Sequence, residues 1–260
     1  MKEIVWGKSD SGEVPFYLYE SSFYVVRRLA VMIEDDLYLV HQEMRPGWTV
    51  NVVLVFGEYE IAVVDSGLEN TPGDFVFPLI EERGRRVDEV SIIVNTHGDG
   101  DHIRGNAALK EGTGAPISIH ELERGAVLTA DAMLGESVTL GDRTFKVIHT
   151  PGHRPGAVCL YEEGGRLLLT GDCVCGTRED LIRMDKRIYI ESLQRLLGRD
   201  VETMIMSHPF DPMGKDVLRG DEPRQMIEAS IEIAQNIKET VPRTNAPDHT
   251  RRRRSSVDLR

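Results

Sequence analysis

The chain has 260 residues, 40% hydrophobic and 28% charged, with a net charge of −12. That is the composition of an ordinary globular protein, long enough for one large domain or two small ones. The acidic balance argues against a nucleic-acid surface, whose affinity comes largely from neutralised phosphates, and no run approaches the roughly 18 apolar residues of a membrane span.

In chain order, residues 24–42 read as two strands about a tight acidic turn. Residues 49–68 read as a hairpin, with apolar runs Val52 to Phe56 and Ile61 to Val64 turning at Gly57-Glu58 and ending in Asp65-Ser66-Gly67. A helix follows over 71–84, started by Thr71-Pro72 and stopped by Gly84. The short run VSIIVNT is typical of a strand buried on both faces. A short helix over 106–114, a strand over 116–120 and a helix over 121–129 come next. Strands over 143–150 and a hairpin over 157–172, turning at Gly164-Gly165, lead to an amphipathic helix over 186–197. A last buried strand covers 201–207, and a long helix over 222–241 places Ile227, Ile231, Ala234 and Ile237 on one face. Residues 1–242 are expected to form a single domain. The polar tail 243–260, with its run Arg251 to Arg254, is expected to be disordered.

The segment NTHGDGDHIRGN concentrates ligand-type residues: His97, Asp99, Asp101 and His102 fall within six positions. Three more candidates each stand just past an apolar strand: His153 in HTPGHRPG, Asp172 in LLLTGDCV and His208 in MIMSHPF. Strand ends in α/β folds gather their loops on one side, so these donors are expected to converge. Nitrogen and oxygen donors together suit zinc, iron or manganese, and two ions need a bridging carboxylate, for which Asp172 is the candidate. His41, His120, His149 and His249 lack that context and read as structural or surface residues. Cys159, Cys173 and Cys175 are too few and too odd for a disulfide framework. With an N-terminus that has no secretory h-region, they suggest a cytoplasmic protein.

Taken in order, VVDSG, NTH with DH and GN, TPGH, TGD and SHP resemble the metallo-β-lactamase-fold hydrolase superfamily over roughly residues 20–240. The resemblance implies a four-layer αββα sandwich with the metals at one edge of its two sheets. It implies a hydrolase in which two divalent ions, zinc as first guess, activate a bridging hydroxide against an ester, thioester, lactone, amide or phosphoester of a small molecule. It assigns His97 and His153 to a first ion, Asp101, His102 and His208 to a second, and Asp172 between them, with Asp101 orienting the nucleophile or relaying a proton. Asp65, Thr96 and Thr150 are then hydrogen-bonding supports of the ligands.

Asp99 departs from the family motif HxHxDH, which has His there. Asp99 would ligate as a carboxylate, hold a ligating water, or leave the first position weak. One charge less on the centre lowers the pKa of bound water less and improves the case for iron or manganese. It also opens an alternative, a non-heme iron redox enzyme of flavodiiron or persulfide-dioxygenase type. No flavin domain is expected after residue 242, and the persulfide dioxygenases keep His where this chain has Asp99. Substrate contacts are sought in Arg104, Asn106, Arg178, Arg187 and Tyr189, in or near loops beside the ligands. The expected partners are a small-molecule substrate and at most a second copy in a homodimer, with neither nucleic acid nor membrane.

Overall fold

The computed structural model describes the backbone of residues 3–9, 12–18 and 27–28, and residues 30–237 in full. The tail, Arg251 to Arg254 and His249 lie outside the described residues. So does most of the stretch before Ala30 in the first expected strand pair.

β1 (Glu3–Ser9), β2 (Gly12–Leu18) and β3 (Arg27–Arg28) form a three-stranded antiparallel sheet. The expected hairpins then appear as β4 (Ala30–Glu34) with β5 (Leu37–Arg45), and β6 (Trp48–Phe56) with β7 (Ile61–Val64). β8 (Val90–Val94), β9 (Ile117–Ile119) and β10 (Ala132–Met133) continue that sheet in parallel, giving the order β10-β9-β8-β7-β6-β5-β4. A second sheet joins β11 (Ser137–Leu140), β12 (Arg143–His149), β13 (Val158–Glu162), β14 (Leu167–Leu169), β15 (Thr203–Ile205) and β16 (Val217–Arg219) in sequence order.

Both sheets are apolar on both faces, and the period of two sorts each strand's residues into two cores. Leu37, Leu39, Val53, Val55, Ala62 and Val64 meet Phe145, Val158, Leu160, Leu167, Leu169 and Ile205 between the sheets. Their alternates Tyr38, Val40, Val52, Leu54, Ile61 and Val63 face the other way, onto Leu79, Ile80 and Leu109. Those three belong to α1 (Phe77–Glu82) and α3 (Asn106–Thr113). Behind the second sheet, Cys159, Tyr161, Leu168, Met204 and Met206 pack on α4 (Lys186–Leu197) and α5 (Glu222–Asn236). Helix, sheet, sheet, helix is the expected four-layer sandwich.

The helices follow local rules. Asp185 caps α4 by accepting from Arg187 N, and Tyr189, Ser192, Leu193 and Leu196 make its buried stripe at helical spacing. In α5 the stripe is rotated from the expected one: Met226, Ile227, Ser230 and Ala234 are buried, while Ile231 is only partly covered. The expected helix over 71–84 opens with a wide π turn, Pro72–Val76, before α1. The helix expected over 121–129 is absent. Only a 3-10 turn, Glu121–Glu123, forms there, because Gly125 interrupts the run and Glu123 turns its carboxylate inward to bond neighbouring loops.

Candidate metal centre

All seven candidate ligands leave the ends of strands on one edge of the sandwich. His97 follows β8, and Asp99, Asp101 and His102 lie in or beside the short helix α2 (Gly100–Ile103). His153 follows β12, Asp172 follows β14, and His208 follows β15. Their donor atoms fall into three overlapping groups, each within 4.8 Å: His97, Asp99 and His153; Asp101, His102 and His208; and His97, His102 and Asp172. The third group joins the other two, which puts Asp172 between them.

Each histidine is aimed by a bond at its far nitrogen, which settles which ring atom faces inward. His102 Nδ1 lies 2.8 Å from Asp65 Oδ2, His153 Nδ1 2.8 Å from the Leu181 carbonyl, and His208 Nδ1 2.5 Å from the Thr49 carbonyl. His97 Nδ1 sits 3.0 Å from Thr96 Oγ1, which itself donates to Asp65 Oδ2. Asp65 also accepts from Thr96 N, so one buried carboxylate holds both ends of the loop that carries His97 and His102. Its backbone is left-handed at φ 61°, uncommon outside glycine and tolerated only where the surroundings over-determine it. Thr150 turns away from the centre, toward the Ala157 carbonyl and Cys159 Sγ, and does not support a ligand directly.

Three of the inward atoms make no hydrogen bond, although two of them, His102 Nε2 and Asp172 Oδ1, stand 3.4 Å apart. His97 Nε2, His102 Nε2 and Asp172 Oδ1 are fully buried, and none has a hydrogen bond. Buried polar atoms are nearly always satisfied, so three such atoms converging from the loop after β8 and the loop after β14 call for a shared partner. Imidazole nitrogens and a carboxylate oxygen together match a divalent cation. The residues present therefore fit the metals that the sequence implies. Charge points the same way. Burial works against protonating His102 and His208, yet nearby carboxylates, chiefly Asp172 with Asp65 or Asp101, outweigh it and raise both. Burial likewise opposes ionising Asp172, yet His208 and His102 hold its carboxyl well below the usual range. At these groups the centre attracts positive charge, whereas at His97 burial and the neighbouring His102 and His153 rings press the other way.

Asp99 has a different setting. Its Oδ2 lies 2.8 Å from His153 Nε2 and accepts from Arg183 at 2.6 Å, while Oδ1 faces Arg154 at 3.4 Å. Burial would raise its carboxyl, but the His153 bond and the neighbouring positive groups hold it far below the ordinary value. The charge lost by having Asp rather than His is thus offset from outside the motif, which the sequence-based charge count omitted. Asp99 and Asp101, with side chains 17% and 25% exposed, are the ligand candidates open to solvent.

The expected substrate contacts fare unevenly. Arg178 stands at the centre's rim, 5.1 Å over the Trp48 ring, which stacks on His208 at 5.0 Å. Arg104 lies against Gly100 in the ligand loop. Arg187 is exposed at the start of α4, paired with Asp185. Two are corrections. Tyr189 is completely buried in the core, its hydroxyl 3.0 Å from Cys175 Sγ, because it is the first apolar position of the α4 stripe. Asn106 is buried too, bonded to Asn95, which also donates to the His102 carbonyl; it braces the loop. Sequence reading missed Trp48, Glu123, Arg154 and Arg183. Only Arg154, next to His153, had a local signal.

The metallo-beta-lactamase superfamily model matches residues 45–208, most of the described sandwich and every ligand candidate. The chain belongs to the metallo-beta-lactamase superfamily. Among its relatives, an uncharacterised protein of Aquifex aeolicus is 32% identical over 162 residues, 49% of this chain and 77% of that one. A hydroxyacylglutathione hydrolase of Rhizobium etli is 37% identical over 134 residues, 49% of this chain and 51% of that one. The chain thus spans about half the length of that hydrolase. A metallo-beta-lactamase family protein from Thermus thermophilus has the same fold, with a TM-score of 0.62 at 22% identity, covering 78% of this chain and 81% of that one. Among the described residues no helix is long and apolar enough to cross a membrane.

Proposed function

We propose that this superfamily member is a metal-dependent hydrolase of small-molecule acyl compounds, with thioesters and esters as its first substrates. The observation that carries the reading is the set of unpartnered inward atoms, His97 Nε2, His102 Nε2 and Asp172 Oδ1. His97, Asp99 and His153 would hold one ion, Asp101, His102 and His208 a second, and Asp172 would reach both. Bound divalent ions supply Lewis acidity and make water a nucleophile near neutral pH. Zinc is the first expectation from the family, and the extra carboxylate keeps iron and manganese in contention.

The chain's own groups do the rest. Asp101, partly open and 3.4 Å from His208 Nε2, can orient an incoming water and take its proton on a carboxylate oxygen. Trp48 and Arg178 wall the approach on the His208 side, and Arg183 on the Asp99 side. The walls suit an acyl group carrying a negative charge. The thioester preference draws on the hydroxyacylglutathione hydrolase relatives. We assign the activity to a cytoplasmic protein, as a monomer or homodimer.

The test is turnover of a panel of acyl thioesters, aryl esters, a lactone, a phosphodiester and a β-lactam, with and without chelator. Hydrolysis of thioesters or esters that is lost on chelation and restored by added metal is expected. Failure to turn over any of the panel when metal-loaded overturns the reading. Asp99 favours a second reading, iron redox chemistry. Iron as the metal of the purified protein, together with substrate-dependent oxygen consumption, would select it.

A further inference from the structure

We propose that Glu123 is the positioning residue of the first metal position, lacing together the loop of His97 and Asp99 and the loop of His153. Its carboxylate is buried, with the side chain 1% exposed, yet it touches no ligand candidate. All of its donors belong to the two loops. Oε2 accepts from the backbone N of Gly98, between His97 and Asp99, at 3.2 Å. Oε1 accepts from the backbone N of Gly156, three residues past His153, at 2.9 Å. Oε2 also accepts from Arg154 Nε at 3.1 Å and from its terminal nitrogen at 2.9 Å.

The other side of Arg154 faces Asp99 Oδ1 at 3.4 Å, and Asp99 Oδ2 lies 2.8 Å from His153 Nε2. Glu123, Arg154, Asp99 and His153 thus form a continuous chain of contacts to the first position. The backbone is shaped to it: a Cβ on Gly98 would come within 2.7 Å of Glu123 Oε2, and one on Gly156 within 2.7 Å of Glu123 Cγ. A buried carboxylate is tolerated only when its oxygens are filled by donors, and here every donor is a ligand-loop group. This chain of contacts meets the second position only through the shared Asp172, 3.7 Å from His153 Nε2; His102 and His208 are aimed by Asp65 and the Thr49 carbonyl. Glu123 therefore acts chiefly on the first position, whose two loops hold all of its donors. It does so from the turn that replaces the expected helix over 121–129.

This inference rests on the two-ion reading above. Wild type, Glu123→Gln and Arg154→Met are stripped of metal, then titrated with Co²⁺ while the visible spectrum is followed. Metal-free thermal unfolding is measured beside each. Wild type is expected to bind two ions. In Glu123→Gln one of them weakens about 10–100-fold, the range for groups that orient ligands, and the other does not change. In Arg154→Met the same ion weakens by less, because the bonds to Gly98 and Gly156 remain. Two ions bound by Glu123→Gln as in wild type overturn the proposal alone. So does equal weakening of both ions with a lowered unfolding temperature, the mark of a general structural role. If Glu123→Gln does not fold, unchanged binding by Arg154→Met overturns it instead. A wild type that binds a single ion overturns the two-ion reading, and the proposal with it.

Discussion

At the second metal position the histidines are aimed from inside the sandwich. Asp65 sits at the end of β7 and Thr49 within β6, and both press on rings that are almost wholly buried. At the first position the control is more remote and more electrostatic: a loop carbonyl behind His153, a threonine hydroxyl beside His97, and two guanidinium groups on Asp99. The second position's supports are anchored on the strands. The first depends on several loops agreeing. The chain has tolerated its departure from the family motif, Asp99, at the position where supporting charges could be recruited from outside the strands.

The largest effect is expected at the residue the two positions share. Asp172→Ala should lose both ions and lower kcat/KM by about 10³-fold, since metal assistance supplies several kcal/mol and each 1.4 kcal/mol is tenfold. Elemental analysis and kinetics check it, and retention of one tight ion would mean that Asp172 serves a single position. Asp65→Ala should weaken the ion at His102 by about 10–100-fold and the ion at His97 by less, because it reaches His97 only through Thr96. Equal weakening would erase the contrast between the positions.

Arg183→Met tests the exposed half of the charge compensation. Arg183 is 45% exposed, so its pairing with Asp99 is screened. A few-fold loss of metal affinity at the first position is expected, read by the same Co²⁺ titration. Arg143→Met is the control for mere stability. Arg143 on β12 ties Glu34 and Asp36 of the opposite sheet's edge to Glu162, and its removal should cost about 1–3 kcal/mol in urea unfolding. The two metal affinities should then keep their ratio; a changed ratio would mean that any destabilisation mimics a positioning effect.

The smallest signal is expected at Cys175. Burial pushes its thiol up to about 12. At pH 8 only about one molecule in 10⁴ then carries the reactive thiolate, so iodoacetamide should leave Cys175 unlabelled until the protein unfolds. Rapid labelling of the native protein would show that the loop behind Asp172 opens.

Much of this molecule was legible in the chain itself. Short continuous apolar runs ended by turn residues gave the strands, and ligand-type residues placed just past those runs gave the centre, because a strand's end has to surface where its neighbours' ends do. Local signals also placed α4 within its observed bounds. What they did not contain was which way a side chain turns once its element is packed. Tyr189 and Asn106 lie in or near segments that flank ligand loops, yet the α4 stripe and the Asn95 pair take them inside. Glu123, Arg154 and Arg183 look like surface charges until β9 and the turns after β12 and β14 bring them around Asp99. Sequence determined the donor set and the strand ends that gather it. Tertiary structure decided which charges surround each donor, because those charges come from loops whose separation along the chain is far greater than their separation in space.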